Sequence, residues 1–353
     1  MNHILARWLF LFAAMTTFSM AAAQTRLSYT TSSSPSATEV PALMAWAEYL
    51  NKESGGEIEV EFYWQQALSK LEDNLRAVSS GLADIGMIVP SYTQSRMPMN
   101  TLSSTTIGSG DPYLVGEAWL QTREQHTEII AEEARLKLKF LFNYSVGPVV
   151  LLGDRHYLSP GDFKGETMRL NTHFSQTAAH YGWNVNAANV RSPEMYTALE
   201  KGTISGGATY LSQILPYRLN EVADHMVELN LGQHMNLVYM NLDVWESLSP
   251  RVQQLIDQSL PKLRTDINRA FIDESNTVRD TIANHPDFPV NSIQLDDERR
   301  AEWAAMLDYS YQHNVDLAAK ITPRARDIAE TFKENIDLLE ADYKENGYPW
   351  ESE

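Results

Sequence analysis

Arg169 is the residue in this sequence whose type and setting most clearly invite chemistry. It lies in the run Thr167-Met168-Arg169-Leu170-Asn171, a short strand pattern that is otherwise apolar or neutral. A guanidinium in that setting needs a carboxylate, and its planar fork suits bidentate capture of one. An internal acid and a ligand carboxylate satisfy that need equally well at this level. Other chemistries find little footing. No His-Glu-x-x-His pattern occurs among the nine histidines, and His173 with His180 has the wrong helical spacing for a ligand pair. Phosphate-loop patterns are absent, and Gly108-Ser109-Gly110 is a lone glycine turn. Gly202-Thr203-Ile204-Ser205-Gly206 has the wrong spacing for a nucleophile elbow. Asp296 and Asp297 are adjacent rather than facing and suit a helix start. No metal, cofactor or catalytic residue is therefore expected.

Composition narrows the classes further. The chain has 353 residues, 43% of them hydrophobic, and no cysteine. That is enough apolar material for a sizeable core of two domains or one large one, and it excludes thiol chemistry and disulfides. A net charge of −18 argues against a nucleic-acid partner, which would require clustered Lys and Arg. The first 23 residues have a secretory pattern: Arg7, the apolar run Trp8 to Ala14, then Ala21-Ala22-Ala23 before Gln24. Cleavage near Ala23 would leave a soluble exported body, expected in the periplasm.

The elements that must position Arg169 can be read from periodicity. Strand candidates cover Leu27 to Thr30, Glu57 to Trp64 and Asp84 to Val89, with helices from Glu39 to Glu53 and, opened by a Ser69/Glu72 capping box, to Ser80. This alternation builds a mostly parallel sheet. A second segment with the same grammar has a strand region from Phe140 to Leu152, a short helix after Ser159-Pro160, and a strand from Thr167 to Asn171. It continues with a helix from Phe174 to Tyr181, a helix capped by Ser192 with Pro193, and a strand from Ile204 to Tyr210. A strand follows at Val238 to Leu242. After it come a long helix from Ser249-Pro250 to about Ala283 and two more, Asp296 to Lys320 and Pro323 to Tyr343.

Several strings occur in an ordered series: Leu27-x-Tyr29-Thr30-Thr31, SGGEIEVEFYW at 54–64, SGLADIGM at 80–87, DFKGETMRL at 162–170, SPEMYTALEKG at 192–202 and VYMNLDVWESLSP at 238–250. In this order, behind a signal segment, the chain resembles the solute receptors of tripartite ATP-independent periplasmic (TRAP) transporters, the DctP-like family. The resemblance implies an α/β fold of two lobes with mixed sheets, a central cleft and long C-terminal helices. It also implies a small-molecule solute bound without turnover and delivery to the TRAP permease subunits in the membrane. The family's carboxylate-clamping arginine falls on Arg169. Its following block matches Glu194, Tyr196, Ala198, Leu199, Gly202 and Gly206, whereas Ser205 and Thr209 depart from the expected Asp and Asn. The segment that carries a second arginine in many acid-binding members is Gly147-Pro148-Val149 here.

The expected organisation is a signal peptide at 1–23, a first lobe at 24–145 to which a later strand returns, and a second lobe at 146–245. Residues 246–353 form an inter-lobe helix and C-terminal helices. The strand ends of the first lobe offer Ser32, Ser33, Trp64, Ser91 and Tyr92 to the cleft. From the second come Asn171, Ser192, Thr209, Tyr210 and, by the resemblance, His234. Trp64 and Tyr92 have core packing as a competing role, and Ser192 has helix capping. The leading reading is a monomeric receptor with a monocarboxylate on Arg169. An amine or zwitterion held by aromatic and acidic groups is the alternative ligand, and a sensory binding subunit or an exported hydrolase is the alternative function.

Overall fold

The computed structural model describes residues 24–104, 109–232 and 234–351. The expected signal peptide at 1–23, and Gly108 of the glycine turn, lie outside the described residues.

Hydrophobic spacing creates the first half. Strand β1 (Thr25–Thr30) leads to helix α1 (Val40–Glu53), whose Val40, Leu43, Trp46, Ala47 and Leu50 are buried at three- and four-residue intervals. Gly55 and Gly56, at φ +72° and +84°, turn the chain after the helix into β2 (Ile58–Tyr63). Helix α2 (Asn74–Ser79) and the fully buried strand β3 (Ile85–Ile88) follow. Gly86 permits their contact, since a Cβ there would lie 2.5 Å from Val78 Cγ2. The expected capping box does not form: Ser69 Oγ donates to Asn74 Oδ1 at 2.6 Å, and Asn74 Nδ2 donates to the Met87 carbonyl at 2.8 Å. Tying the loop to β3 satisfies the buried Asn74, so a 3-10 turn at Leu71–Asp73 replaces the first helical turn.

Helices α3 (Pro98–Thr101), α4 (Pro112–Gln125) and α5 (Thr127–Arg135) precede β4 (Leu138–Val146) and β5 (Val149–Gly153). The run anticipated as one strand region from Phe140 to Leu152 is thus two strands in different sheets, parted at Gly147-Pro148. Pro148 has no N–H to continue a ladder, so the chain leaves one sheet there and enters the other. Next come β6 (Thr167–Arg169), α6 (Thr172–Tyr181), β7 (Asn186–Ala188), α7 (Met195–Glu200), β8 (Gly206–Tyr210), β9 (His225–Glu228) and β10 (His234–Asn241). The chain ends with α8 (Leu242–Ser247), α9 (Pro250–Ala283), β11 (Asn291–Gln294), α10 (Asp297–Ala319) and α11 (Ala325–Asn346).

The fold is mixed α/β with two lobes, each built on one sheet. The first sheet has the order β2-β1-β3-β10-β4 and the second β11-β9-β5-β8-β6-β7. β1 pairs parallel with β2 and β3, whereas β10 is antiparallel to both β3 and β4. Three connections, β4 to β5, β9 to β10, and β10 to β11 by way of α8 and α9, therefore join the sheets. Helix α9 spans about 51 Å at 1.5 Å per residue, and it touches α1, α4 and β4 of the first lobe and β11 of the second. Its start follows the sequence: Ser249 Oγ accepts from the Val252 amide at 3.3 Å, with Pro250 in the first turn.

Candidate functional site

Arg169 ends β6, which runs parallel to β7 on one side and β8 on the other. Its backbone neighbour on β8 is Gly207, where a Cβ would lie 2.6 Å from the Arg169 carbonyl oxygen. Gly207 therefore lets β6 and β8 close tightly behind the arginine, while Gly206 does the same for β8 and β5, where a Cβ would lie 2.7 Å from the Leu152 carbonyl oxygen. Nε of Arg169 donates to the Val190 carbonyl at 3.1 Å, Nη1 to the Ala208 carbonyl, and Nη2 to Ser192 Oγ at 3.1 Å. All three acceptors are neutral, and the residue is only 5% exposed. The internal carboxylate anticipated as one of two partners is absent among the described residues. Burial lowers the pKa of this guanidinium from its ordinary value, with Tyr210, Tyr92 and Tyr217 acting in the opposite sense.

Ser192 also departs from its expected role. Arg191 occupies the capping position of the 3-10 turn Ser192–Glu194, and Ser192 turns its hydroxyl to Arg169. Asn171, by contrast, caps α6 by accepting from the Phe174 amide at 3.0 Å.

Arg169 lines a cavity of about 130 Å³ between the lobes. A single water needs roughly 10–15 Å³ on the same measure, so there is room for a small organic solute. The anticipated Ser33, Tyr92, Asn171, Ser192, Tyr210 and His234 share this lining, as do Ser32 and Ser91. Trp64 and Thr209 are placed elsewhere. Trp64 stacks on Phe62 with centroids 4.7 Å apart, and the buried Thr209 donates to Gln213 Oε1 at 3.1 Å. Alternation along β8 sends Thr209 and Tyr210 to opposite faces, and Tyr210 takes the cavity side.

Periodicity did not reveal Glu39, His173, Tyr217 or Phe271, which also line the cavity. Glu39 is 4% exposed, although acids at helix starts are ordinarily solvated. Its Oε1 accepts from the Ser33 hydroxyl and, at 3.4 Å, from the Tyr144 hydroxyl. Burial raises its pKa from the usual carboxylate value against those hydrogen bonds. Two histidines lie nearby. His173 has its pKa lowered by burial to about 4, and His234 to about 3 by burial, His173 and Arg169. Both are neutral at pH 7. Ser310 donates its hydroxyl to Gln176 Oε1 at 2.6 Å, so His173 Nδ1, 2.9 Å from Ser310 Oγ, is the donor in that pair.

The lobes also meet through charge. Arg191 grips Glu72 in a bidentate pair, Nη1 to Oε2 at 2.6 Å and Nη2 to Oε1 at 2.9 Å. Among the described residues, no cluster of His, Asp and Glu is arranged to hold a metal, and no helix is long and apolar enough to cross a membrane. The lining combines a buried guanidinium, a buried carboxyl group and neutral hydroxyl, imidazole and aromatic groups, a set suited to recognising a small solute.

Comparison with known proteins gives a consistent picture. The sequence profile of bacterial extracellular solute-binding protein family 7, DctP, matches residues 29–316. A solute-binding protein of Verminephrobacter eiseniae is 24% identical over 269 residues, covering 72% of this chain and 76% of that one. Among solved structures, a TRAP solute-binding protein of Rhodoferax ferrireducens in complex with copurified benzoate superposes with TM-score 0.78 at 18% identity, over 90% of this chain and 99% of that one. An extracytoplasmic solute receptor of Bordetella pertussis binding pyroglutamic acid gives TM-score 0.76 at 16% identity, over 89% and 100% of the two chains.

Proposed function

The chain belongs to bacterial extracellular solute-binding protein family 7, a family of solute receptors rather than enzymes, and from that premise we propose that it captures a small carboxylate on Arg169. The observation that carries this reading is a buried guanidinium, open to a cavity, whose protein partners are all neutral. Burying a charge without a counter-charge is costly. A ligand carboxylate supplies the missing charge, and each terminal nitrogen of Arg169 has a second N–H to offer it. Solved relatives with benzoate and pyroglutamic acid support an acid ligand by analogy.

The receptor is exported to the periplasm after cleavage near Ala23, acts as a monomer, and passes its solute to a TRAP membrane permease. Capture begins at Arg169. The lobes then close by bending at the three connections between the sheets, α9 among them, and the ligand shifts the population toward the closed form. The Arg191–Glu72 pair reinforces closure because its members lie on different lobes.

A thermal-shift screen of the mature protein against organic acids tests the reading. A true solute at about 100 Kd adds roughly 2.7 kcal/mol to stability. Arg169→Lys keeps the charge and loses the fork, so Kd for that solute should rise roughly 10- to 100-fold, the cost of losing charge-assisted hydrogen bonds. An unchanged Kd would remove Arg169 from the site.

A further inference from the structure

The wall of the cavity contributed by the first lobe bears the opposite charge. Glu39 opens α1 there, 96% of its surface withdrawn from solvent, and no cationic side chain pairs with it among the described residues. Its side-chain partners are hydroxyls: Ser33, which is itself on the cavity lining, and the buried Tyr144. Behind it, Thr38 donates to Glu274 of α9, a second carboxylate without a basic partner among the described residues. Glu39 adds its repulsion to the burial that raises the Glu274 pKa. One cavity therefore holds a buried cation on the second lobe and a buried acid on the first, and the two are not paired with each other. A ligand bearing only a carboxylate would complete Arg169 and leave Glu39 enclosed without a counter-charge. A ligand with charge of both signs would complete both. Tyr92, Tyr217 and Phe271 on the same lining provide aromatic surface that tolerates a cationic nitrogen.

We propose that the solute is a small zwitterion whose carboxylate meets Arg169 and whose cationic nitrogen meets Glu39. This rests on the assignment of Arg169 as the carboxylate site and adds the second pole. The same acid would repel dicarboxylates, so Glu39 acts as a selectivity element as well as an anchor.

The test is a thermal-shift and calorimetric comparison of three matched sets on the intact mature protein: the proteinogenic amino acids, their N-trimethyl betaines, and the corresponding desamino acids. Stabilisation should come from the first or second set, which also separates a primary ammonium from a quaternary one. For the best hit, Glu39→Gln should raise Kd about thirtyfold or more while leaving or improving affinity for its desamino analogue. A merely structural Glu39 would weaken both alike. Stabilisation by desamino acids alone, by no zwitterion at all, or equal weakening of both classes in Glu39→Gln overturns the proposal. Insensitivity of a zwitterion hit to Arg169→Lys would instead overturn the carboxylate site on which it rests.

Discussion

Arg123 in the first lobe and Arg169 in the second are both drawn into the protein, yet their surroundings solve the burial problem in opposite ways. Arg123, at the end of α4, donates from Nε and Nη2 to Glu133 of α5 at 2.6 to 3.1 Å, and its guanidinium lies 4.4 Å over the Phe140 ring. Tyr239 closes that network by donating to Glu133 Oε1 at 3.1 Å. Arg169 has two carbonyls and a hydroxyl in place of a carboxylate, and a cavity in place of an aromatic lid. An arginine whose charge is answered inside the chain serves the fold. One left unanswered beside a cavity is available to a ligand.

Breaking the internal pair should have the largest effect. Arg123→Met leaves Glu133 buried without its cation and should cost about 3–5 kcal/mol in urea unfolding. Arg169→Met should cost about 1 kcal/mol or less without ligand, because relief of an unpaired charge offsets the lost hydrogen bonds to neutral acceptors. Equal losses in the two variants would dissolve the distinction. Acidification sharpens it next. His173 and His234 beside Arg169 have folded pKa values depressed to about 4 and about 3 from 6.5. Their contribution is present above pH 6.5 and is lost as pH falls from there toward 4, because the unfolded state binds the protons first. Since buried acids such as Glu39 titrate in the opposite sense, the useful quantity is the difference between proteins: His234→Gln should lose about 1.4 kcal/mol less per pH unit over that window than the parent. An identical acid slope would show that burial, His173 and Arg169 together do not hold the His234 imidazole neutral. The smallest effect belongs to the partly exposed inter-lobe pair. Glu72→Gln should weaken solute binding by less than about fivefold, and less again at high salt, as for solvent-screened ion pairs. A loss exceeding that of Arg169→Lys would move the main determinant of affinity from the cavity to the lobe contact.

Much of the architecture was legible because it depends on neighbours in the chain. The helical spacing of Val40, Leu43 and Leu50, the Ser249-Pro250 start and the extent of α9 follow from local pattern and capping. The short helix expected after Ser159-Pro160 forms as the 3-10 turn Pro160–Phe163. The short strands β7, β9 and β11 carried too little pattern to be seen; β11 is exposed throughout, so it has no buried face to alternate with. Where a local signal met a tertiary demand, the tertiary demand prevailed: Ser69 ties to Asn74 instead of capping, and Ser192 turns to Arg169. The cavity divided the same way. Arg169 stood out as a charge within a short strand, whereas Glu39 looked like an ordinary acid at a helix start.

By itself, then, the sequence determined the long helices and the strands with clear patterning, the exclusion of thiol chemistry and the position of one arginine in a strand. Its ordered strings also pointed to the family that the match over residues 29–316 establishes. Only the tertiary structure decided that Arg169 meets no carboxylate among the described residues, that Glu39 is enclosed in the same cavity, and that Arg191 reaches Glu72 across the lobes. The physical reason is that the state of a charge depends on burial and on partners brought from distant parts of the chain, and local spacing encodes neither.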